Sequence, residues 1–259
     1  MISVSSAEID AWVAAFFFPL ARILAVLVAS PPFDNLALTV QVRLILGLAI
    51  AIAIAPVLPA MPRIDPASAA GLLLLAREMF IGLAMGFVMR LVFAAVDMAG
   101  NLISLQMGLG FASSYDPQSA GQTAVVSEFL GLLALLIFLA INGHLMVIAT
   151  LLQSFTVLPV GTATLSAGIG SNLATSGAII FSSGLLLALP VLVALLITNL
   201  ALAILSRAAP QLNLMAIGFP LTIALGFTAL MLALSYASAP LQHMFEDGLA
   251  AMLAAATVR

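Results

Sequence analysis

The chain has 259 residues, of which 64% are hydrophobic and 7% are charged, and it carries ten acidic residues against seven arginines. It contains no lysine or cysteine, and the long stretch from Phe129 to Ser206 contains no charged residue. This composition excludes a water-soluble domain, and a net charge of −3 without a basic patch disfavours nucleic-acid binding. The lack of cysteine excludes disulfides, thiolate nucleophiles and cysteine metal sites.

The apolar residues form long runs, which predict an all-α, polytopic membrane protein rather than a barrel of short alternating strands. Each run reaches the ~20 residues that a bilayer-spanning helix needs. The predicted segments are 11–30, 36–58, 67–98, 128–158, 173–206 and 213–239. Pro19, Pro190 and Pro220 lie inside or beside these segments and predict kinks. We expect one membrane domain over residues 1–259.

Residues 241–258 have the pattern of an amphipathic helix, because four apolar side chains recur at spacings of three or four residues beside two acids. The apolar residues are Phe245, Leu249, Met252 and Leu253, and the acids are Glu246 and Asp247. A membrane surface or a partner helix would cover the apolar face equally well, and a frayed C-terminus is an open alternative.

Several ionisable residues lie within apolar segments, where a charge is costly unless it is paired or reaches water. They are Arg22, Arg43, Arg77, Glu78, Arg90, Asp97 and His144. On a helix over residues 76–106, a polar stripe of Arg90, Asp97, Asn101 and Ser104 lies on one face and runs on to Gly108. The stripe lines an aqueous path or a partner groove, or else Arg90 and Asp97 neutralise each other; both interpretations stay open.

Two short motifs carry weaker signals. Gly82 and Gly86 would allow another helix backbone to approach closely, although small residues are common in membrane helices. His144 follows Asn142 and Gly143, and a lone histidine there is expected to be hydrogen-bonded at a helix end rather than to be a metal ligand or a catalytic group.

Residues 105–122 differ from their surroundings, since they are rich in Gly and Ser and carry one charge, Asp116. Such a stretch is too broken for a spanning helix, so it is a surface loop or a pore-lining element. Its apolar residues, Met107, Leu109 and Phe111, favour a deformable seal in a pore over a merely solvated loop.

Three functional classes compete at this point: a protein-export channel subunit, a small-solute transporter and an intramembrane enzyme. A transporter would show repeated halves and a midplane cluster of charges, and neither is evident. An enzyme would need a nucleophile with a base or a metal cluster, yet His144 and His243 lie in different segments. The residues alone therefore favour a channel or a transporter, with no cofactor or metal.

Multi-residue motifs in a fixed order make the interpretation more specific. They lie at 105–108, 111–112, 116–117, 138–139, 142–144, 158–161, 207–213 and 217–221, and their main residues are Asn142, Gly143, His144, Arg207, Pro210, Gln211, Asn213, Gly218 and Pro220. With them the chain resembles the FliR/SctT-like family of type III export-gate components over essentially its whole length. The resemblance is closer to the flagellar members than to the injectisome members.

The resemblance implies a non-enzymatic core subunit of the flagellar export gate in the bacterial inner membrane, at the basal body. There it would join FliP and FliQ, work beside FlhB and FlhA, and pass unfolded flagellar proteins. An injectisome export gate is the alternative, and a small-solute transporter is a more distant one. The chain is then expected to cross the membrane fewer than six times. Acidic residues of neighbouring subunits also become candidate ion-pair partners for Arg22, Arg43 and Arg90.

The resemblance also implies that the loop after residue 105 plugs the closed channel. The plug residues would be Gln106, Met107, Gly108, Leu109, Gly110, Phe111, Tyr115, Asp116, Pro117 and Gln122. The chain has Ser114 where a second aromatic residue is expected, so its seal would be shaped differently.

Overall fold

The structure is a computed structural model that describes residues 6–34, 38–59, 62, 64–109, 125–161, 176–209 and 214–256. Within these ranges the chain folds into α-helices, which confirms the predicted fold class. The helices are α1 (Ser6–Ala29), α2 (Val40–Ile54), α3 (Ala69–Gln106), α4 (Val125–Ala140), α5 (Gly143–Val157), α6 (Ala178–Ala208), α7 (Leu214–Leu234) and α8 (Ser238–Ala256). A short 3₁₀ turn, Ala55–Val57, follows α2.

The described helices include four that are long and apolar enough to cross a membrane, and up to five if the bent pair of α4 and α5 is counted as one span. The number of true membrane crossings stays a prediction. The main difference lies at 128–158, which the apolar pattern predicts as one segment but which forms two helices. The break lies at Asn142, which adopts a left-handed conformation that no α-helix continues through, and the helix end predicted beside His144 is found there.

The helix α3 is longer than the apolar segment 67–98 and ends at Gln106, where the helix predicted from the polar stripe over residues 76–106 also ends. Its start is fixed by Ser68, whose hydroxyl accepts a hydrogen bond from the Gly71 N–H at 3.0 Å. A serine in this position satisfies one of the free N–H groups of the first turn. The polar residues Asp97 and Asn101 therefore lie within the helix and do not terminate it.

The chain divides into two compact units. The first comprises Met1–Leu91, Asn142–Gly177 and Phe245–Arg259, and the second comprises Val92–Ile141 and Ala178–Met244. The predicted single domain stays a prediction.

In the first unit, α3 packs closely on α1 through Gly82 and Gly86. A Cβ atom at Gly82 would overlap the Arg22 carbonyl oxygen, and one at Gly86 would lie 2.5 Å from the Ala29 Cβ and 3.0 Å from the Val26 carbonyl oxygen. The two glycines therefore allow the backbones to approach in the way that small residues do between membrane helices. The close approach predicted from the Gly-x-x-x-Gly spacing is confirmed.

The second unit uses the same device. A Cβ at Gly100 on α3 would overlap the backbone of Ser127 on α4, and a Cβ at Gly184 on α6 would lie 2.7 Å from the Ala95 carbonyl oxygen on α3. The rings of Phe93 and Phe138 meet edge to face with centroids 5.9 Å apart. Small residues and one aromatic pair thus hold α4 and α6 against α3.

The outer helices expose much of their apolar surface. In α3, 61% of the residues in the spanning window are buried, whereas the corresponding shares are 22% in α6 and 17% in the part of α7 from Ile217 to Leu234. The apolar face of α8 is buried, with Phe245 and Met252 fully inaccessible and Glu246 and Asp247 exposed. The apolar face of α8 lies inside the protein, whereas the sequence pattern predicted that a membrane surface or a partner helix would cover it.

Candidate functional site

The predicted plug segment begins where α3 ends, and its first residues form a tight helix cap. The Gly108 N–H donates to the Leu105 carbonyl at 3.1 Å, and the Leu109 N–H donates to the Ser104 carbonyl at 3.0 Å. Gly108 has a φ of 82°. This pair of hydrogen bonds around a left-handed glycine is the Schellman arrangement, which satisfies the last carbonyls of a helix.

Contacts with α7 fix this cap in place. The Thr222 hydroxyl donates to the Met107 carbonyl at 3.2 Å, and the Met107 side chain is completely buried. It lies over Gly226, where a Cβ atom would be 2.6 Å from the Met107 Cγ. A Cβ at Gly108 would lie 2.8 Å from the Phe219 ring. The segment after α3 therefore starts from a point that α7 holds.

The packed cap consists of Gln106, Met107, Gly108 and Leu109, and we call it the anchor. Met107 is therefore a buried packing residue, whereas the apolar pattern predicts it at the tip of a deformable seal. The other predicted plug residues lie outside the described residues: Gly110, Phe111, Tyr115, Asp116, Pro117 and Gln122. The seal itself stays a prediction.

The residues of the predicted polar stripe have different surroundings. Arg90 forms an ion pair with Asp34 at 2.5 Å. The carboxylate of Asp97 accepts a 3.4 Å hydrogen bond from the Ser127 hydroxyl, and Asn101 is exposed. Ser104 is 4% exposed, and its hydroxyl finds no hydrogen-bond partner among the described residues.

The mutual pairing of Arg90 and Asp97 is therefore not what the structure shows. The two residues are seven positions apart, about 10 Å along a helix axis, and each has a nearer partner. Arg90 lies in the first unit, and Asp97, Asn101 and Ser104 lie in the second. Their role as a subunit contact stays a prediction.

The motif Asn142-Gly143-His144 marks the break between α4 and α5. Asn142 has φ 57° and ψ 31°, and its carbonyl accepts hydrogen bonds from the Leu145 and Met146 N–H groups at 2.9 and 3.2 Å. Asparagine tolerates this left-handed conformation better than most residues. The Nδ1 atom of His144 is buried without a hydrogen-bond partner among the described residues, so the expected hydrogen bond at this atom is absent there.

The motif after α6 is only partly described. Arg207 lies exposed in the last turn of α6, where its positive charge interacts favourably with the helix dipole. Gly218 is buried in α7, and Pro220 lies within the same helix. The residues Pro210, Gln211 and Asn213 lie outside the described residues.

The most connected polar site is one that the sequence did not predict as a unit. Arg22 on α1 and Glu78 on α3 are both completely buried and form an ion pair, with the Arg22 Nε 2.7 Å from a Glu78 carboxylate oxygen. Arg22 also donates to the Ser154 carbonyl and hydroxyl and to the Leu158 carbonyl, each at 3.1 Å. Its guanidinium lies 4.3 Å from the centre of the Phe155 ring.

This arrangement, the Arg22 cluster, joins three helices of the first unit and caps the end of α5. Sequence reasoning marked Arg22 and Glu78 as costly buried charges, but no local spacing relates residues 56 positions apart. A second cluster pairs Asp34 with both Arg43 and Arg90. Arg22, Arg43 and Arg90 thus have acidic partners within the chain, which is one of the two alternatives that the sequence left open.

The described residues contain no group of three His, Cys, Asp or Glu side chains placed to hold a metal ion. The connected polar atoms are those of helix caps and ion pairs. Their chemistry is that of holding helices together.

Comparison with known proteins places this architecture in a family. The profile of the family described as bacterial export proteins, family 1, matches residues 13–248. The flagellar biosynthetic protein FliR of Pectobacterium carotovorum subsp. carotovorum is 40% identical over 247 residues, which cover 95% of this chain and 94% of that protein. FliR of Escherichia coli strain K12 is 42% identical over 248 residues, with the same shares covered. FliR of Bacillus subtilis strain 168 is 32% identical over 178 residues, 68% of this chain and 69% of that protein.

The chain belongs to the bacterial export protein family 1. The family match begins within α1, includes α2 to α7 and ends within α8, so both units are family 1 sequence. The resemblance drawn from short motifs is confirmed. As a family 1 protein with flagellar relatives over 95% of its length, the chain is a membrane component of flagellar protein export.

Proposed function

We propose that the chain is a core subunit of the flagellar type III export gate, and that with FliP and FliQ it forms the channel that passes unfolded flagellar proteins across the inner membrane. The observation that carries this proposal is the match to flagellar biosynthetic proteins over 95% of the chain. In this proposal the chain works at the flagellar basal body beside FlhB and FlhA, as one membrane-embedded domain without a catalytic role.

The exposed apolar surface supports a place among partner subunits. Much of α6 and α7 is apolar and uncovered in the single chain, so lipid or other apolar helices must cover it. On α3, the Nε and Nη2 atoms of Arg77 are buried and have no hydrogen-bond partner among the described residues. Such donors are costly in an apolar environment unless an acceptor from outside this part of the chain satisfies them.

The anchor after α3 supports a plug in the following segment. Residues 106–109 are held against α7, so the Gly- and Ser-rich residues that follow start from a fixed point. In this proposal residues 106–122 close the channel at rest. Substrate passage then moves the part after Leu109 while the anchor stays packed.

Purification of the tagged full-length chain from its own membranes in mild detergent tests the assembly. We expect a large complex that contains FliP-like and FliQ-like subunits. A stable lone monomer or homodimer would contradict the gate proposal and would favour a small-solute transporter.

Deletion of residues 110–122 tests the plug, because it keeps the packed anchor intact. In cells that carry the assembled complex, we expect the deletion to increase the leak of ions across the inner membrane. Deletion of residues 163–175, a segment of equal length, is the matched control and should leave permeability unchanged. Unchanged permeability in the first deletion, with the complex still assembled, would refute the plug.

A further inference from the structure

A groove of about 590 Å³ runs between α1 and α3 in the first unit. On the α3 side it is lined by Phe80, Leu83 and Phe87, which recur at spacings of three and four residues and so form one stripe along the helix. These three side chains are 42–45% exposed. Val28 and Ala29 line the opposite side, so the floor and walls of the groove are apolar.

One end of the groove carries a net positive charge. Asp34 accepts contacts from Arg43 at 2.9 Å and from Arg90 at 2.5 Å, so two guanidinium groups share one carboxylate. The Arg90 side chain is 51% exposed. A guanidinium carries five N–H donors, and one nitrogen of Arg90 contacts Asp34, so other donors of this half-exposed side chain remain for a ligand.

The length of the groove matches one leaflet of a bilayer. From Phe80 to Arg90 the helix rises about 15 Å, which is half of the ~30 Å hydrocarbon core. The whole of α3, at 38 residues, is about 57 Å long and must project beyond that core. An exposed arginine suits the level of the headgroups, and the stripe of Phe87, Leu83 and Phe80 suits the level of the acyl chains.

We propose that this groove binds an anionic phospholipid, with one acyl chain along the apolar stripe and the phosphate on Arg90. The charge at the rim decides the class of lipid, because the net positive cluster complements a headgroup with a net negative charge. Arginine is suited to phosphate through parallel N–H donors. The site does not depend on the proposed export function, since it uses only contacts within the first unit.

Lipid titration of the purified full-length chain in detergent, followed by native mass spectrometry, tests this site. The two probes are phosphatidylglycerol and phosphatidylcholine with the same acyl chains. We expect one tightly held phosphatidylglycerol per chain. Arg90→Gln should weaken phosphatidylglycerol binding about fivefold, as expected for one cation near an anionic headgroup, and should weaken phosphatidylcholine binding less, because the choline cation offsets the charge of its phosphate.

Two further variants separate charge from folding. Arg90→Lys keeps the cation and should retain most of the affinity for phosphatidylglycerol. Asp34→Asn removes the acid from the rim and should strengthen binding, which damage to the fold would not do. Arg207→Gln, an equal loss of charge at the exposed end of α6, is the matched control and should have no effect.

Equal affinity for the two lipids, or an Arg90→Gln variant that binds phosphatidylglycerol normally, would overturn the proposal. A partner helix in the groove would also overturn it. Because the chain has no cysteine, Leu83→Cys gives a single label site for a maleimide probe. Blocked labelling only when partner subunits co-purify would show a protein interface in place of a lipid.

Discussion

Breaking the Arg22 cluster gives a sharp test of what holds the first unit together. In Glu78→Gln the shape of the side chain is kept, but the buried cation of Arg22 loses its counter-charge. Arg22 and Glu78 are both fully inaccessible, so water cannot replace the lost partner. Removal of one member of a buried ion pair costs about 3–5 kcal/mol.

We place Glu78→Gln near the lower end of that range and Arg22→Met near the upper end. The side-chain amide that Glu78→Gln introduces still accepts a hydrogen bond from Arg22, and the contacts of Arg22 with Ser154 and Leu158 remain. Arg22→Met removes these contacts as well and leaves the Glu78 carboxylate unpaired. For a chain of this size, ~3 kcal/mol corresponds to a fall in melting temperature of about 6–12 °C.

Thermal denaturation of the detergent-solubilised full-length chain measures the effect, with the folded fraction followed by size-exclusion chromatography. The double variant Arg22→Met with Glu78→Gln should be more stable than the sum of the single losses predicts, by about 2 kcal/mol, because neither unpaired charge remains. Glu128→Gln, at an exposed site in the first turn of α4, is the matched control and should shift the melting temperature by less than about 2 °C.

The refuting results are specific. If Glu78→Gln melts within about 2 °C of the unchanged chain, the pair does not stabilise the fold. If the two single losses add without coupling, Arg22 and Glu78 act on separate partners.

Three further predictions concern backbone geometry and use the same melting assay. Gly82→Leu should destabilise the chain by more than ~2 kcal/mol, because the larger side chain overlaps the α1 backbone. Gly131→Ala is the control and should be neutral, since its Cβ makes only an ordinary contact. Equal effects of the two variants would contradict the packing of α3 on α1. Gly108→Ala should cost ~1–2 kcal/mol through its left-handed φ of 82° and the nearby Phe219 ring, and an unchanged melting temperature would argue against the cap. Asn142→Gly should be tolerated while Asn142→Val loses ~1–3 kcal/mol, since a β-branched residue does not fit φ 57°; tolerance of valine would mean that the break has another conformation.

Much of the fold can be predicted from the sequence, because helices that face lipid consist of long runs of apolar residues. Long apolar runs located the helices to within a few residues at most ends, since turn residues such as Pro31 and Pro159 mark where they stop. The apolar run alone ends at residue 98, but the helix predicted from the polar stripe ends at residue 106, as α3 does. The helix continues past Asp97 and Asn101, since the Ser127 hydroxyl donates to Asp97 and the Asn101 side chain is exposed.

The site was less predictable, because its contacts join distant parts of the chain. Nothing near Arg22 in the sequence indicates Glu78 or the carbonyls at the end of α5. The pairing of Arg90 with Asp34 was missed for a related reason, since the helical spacing to Asp97 offered a local partner. Gly108 was recognised within a motif, but its role as the left-handed residue of a cap needed the backbone.

The contact of Arg22 with the Leu158 carbonyl, at the end of α5, bears on where a helix can end in a bilayer. A helix that ends in hydrocarbon would ordinarily leave carbonyl groups without water, which forces helix ends to the aqueous boundary. The Arg22 guanidinium takes the place of that water at the Leu158 carbonyl, whereas the Ser154 carbonyl already accepts the Leu158 N–H. At 15 residues, α5 is about 22 Å long, shorter than the hydrocarbon core. An arginine on the neighbouring helix α1 thus satisfies the Leu158 carbonyl without water, at the end of a helix that is too short to cross the hydrocarbon core.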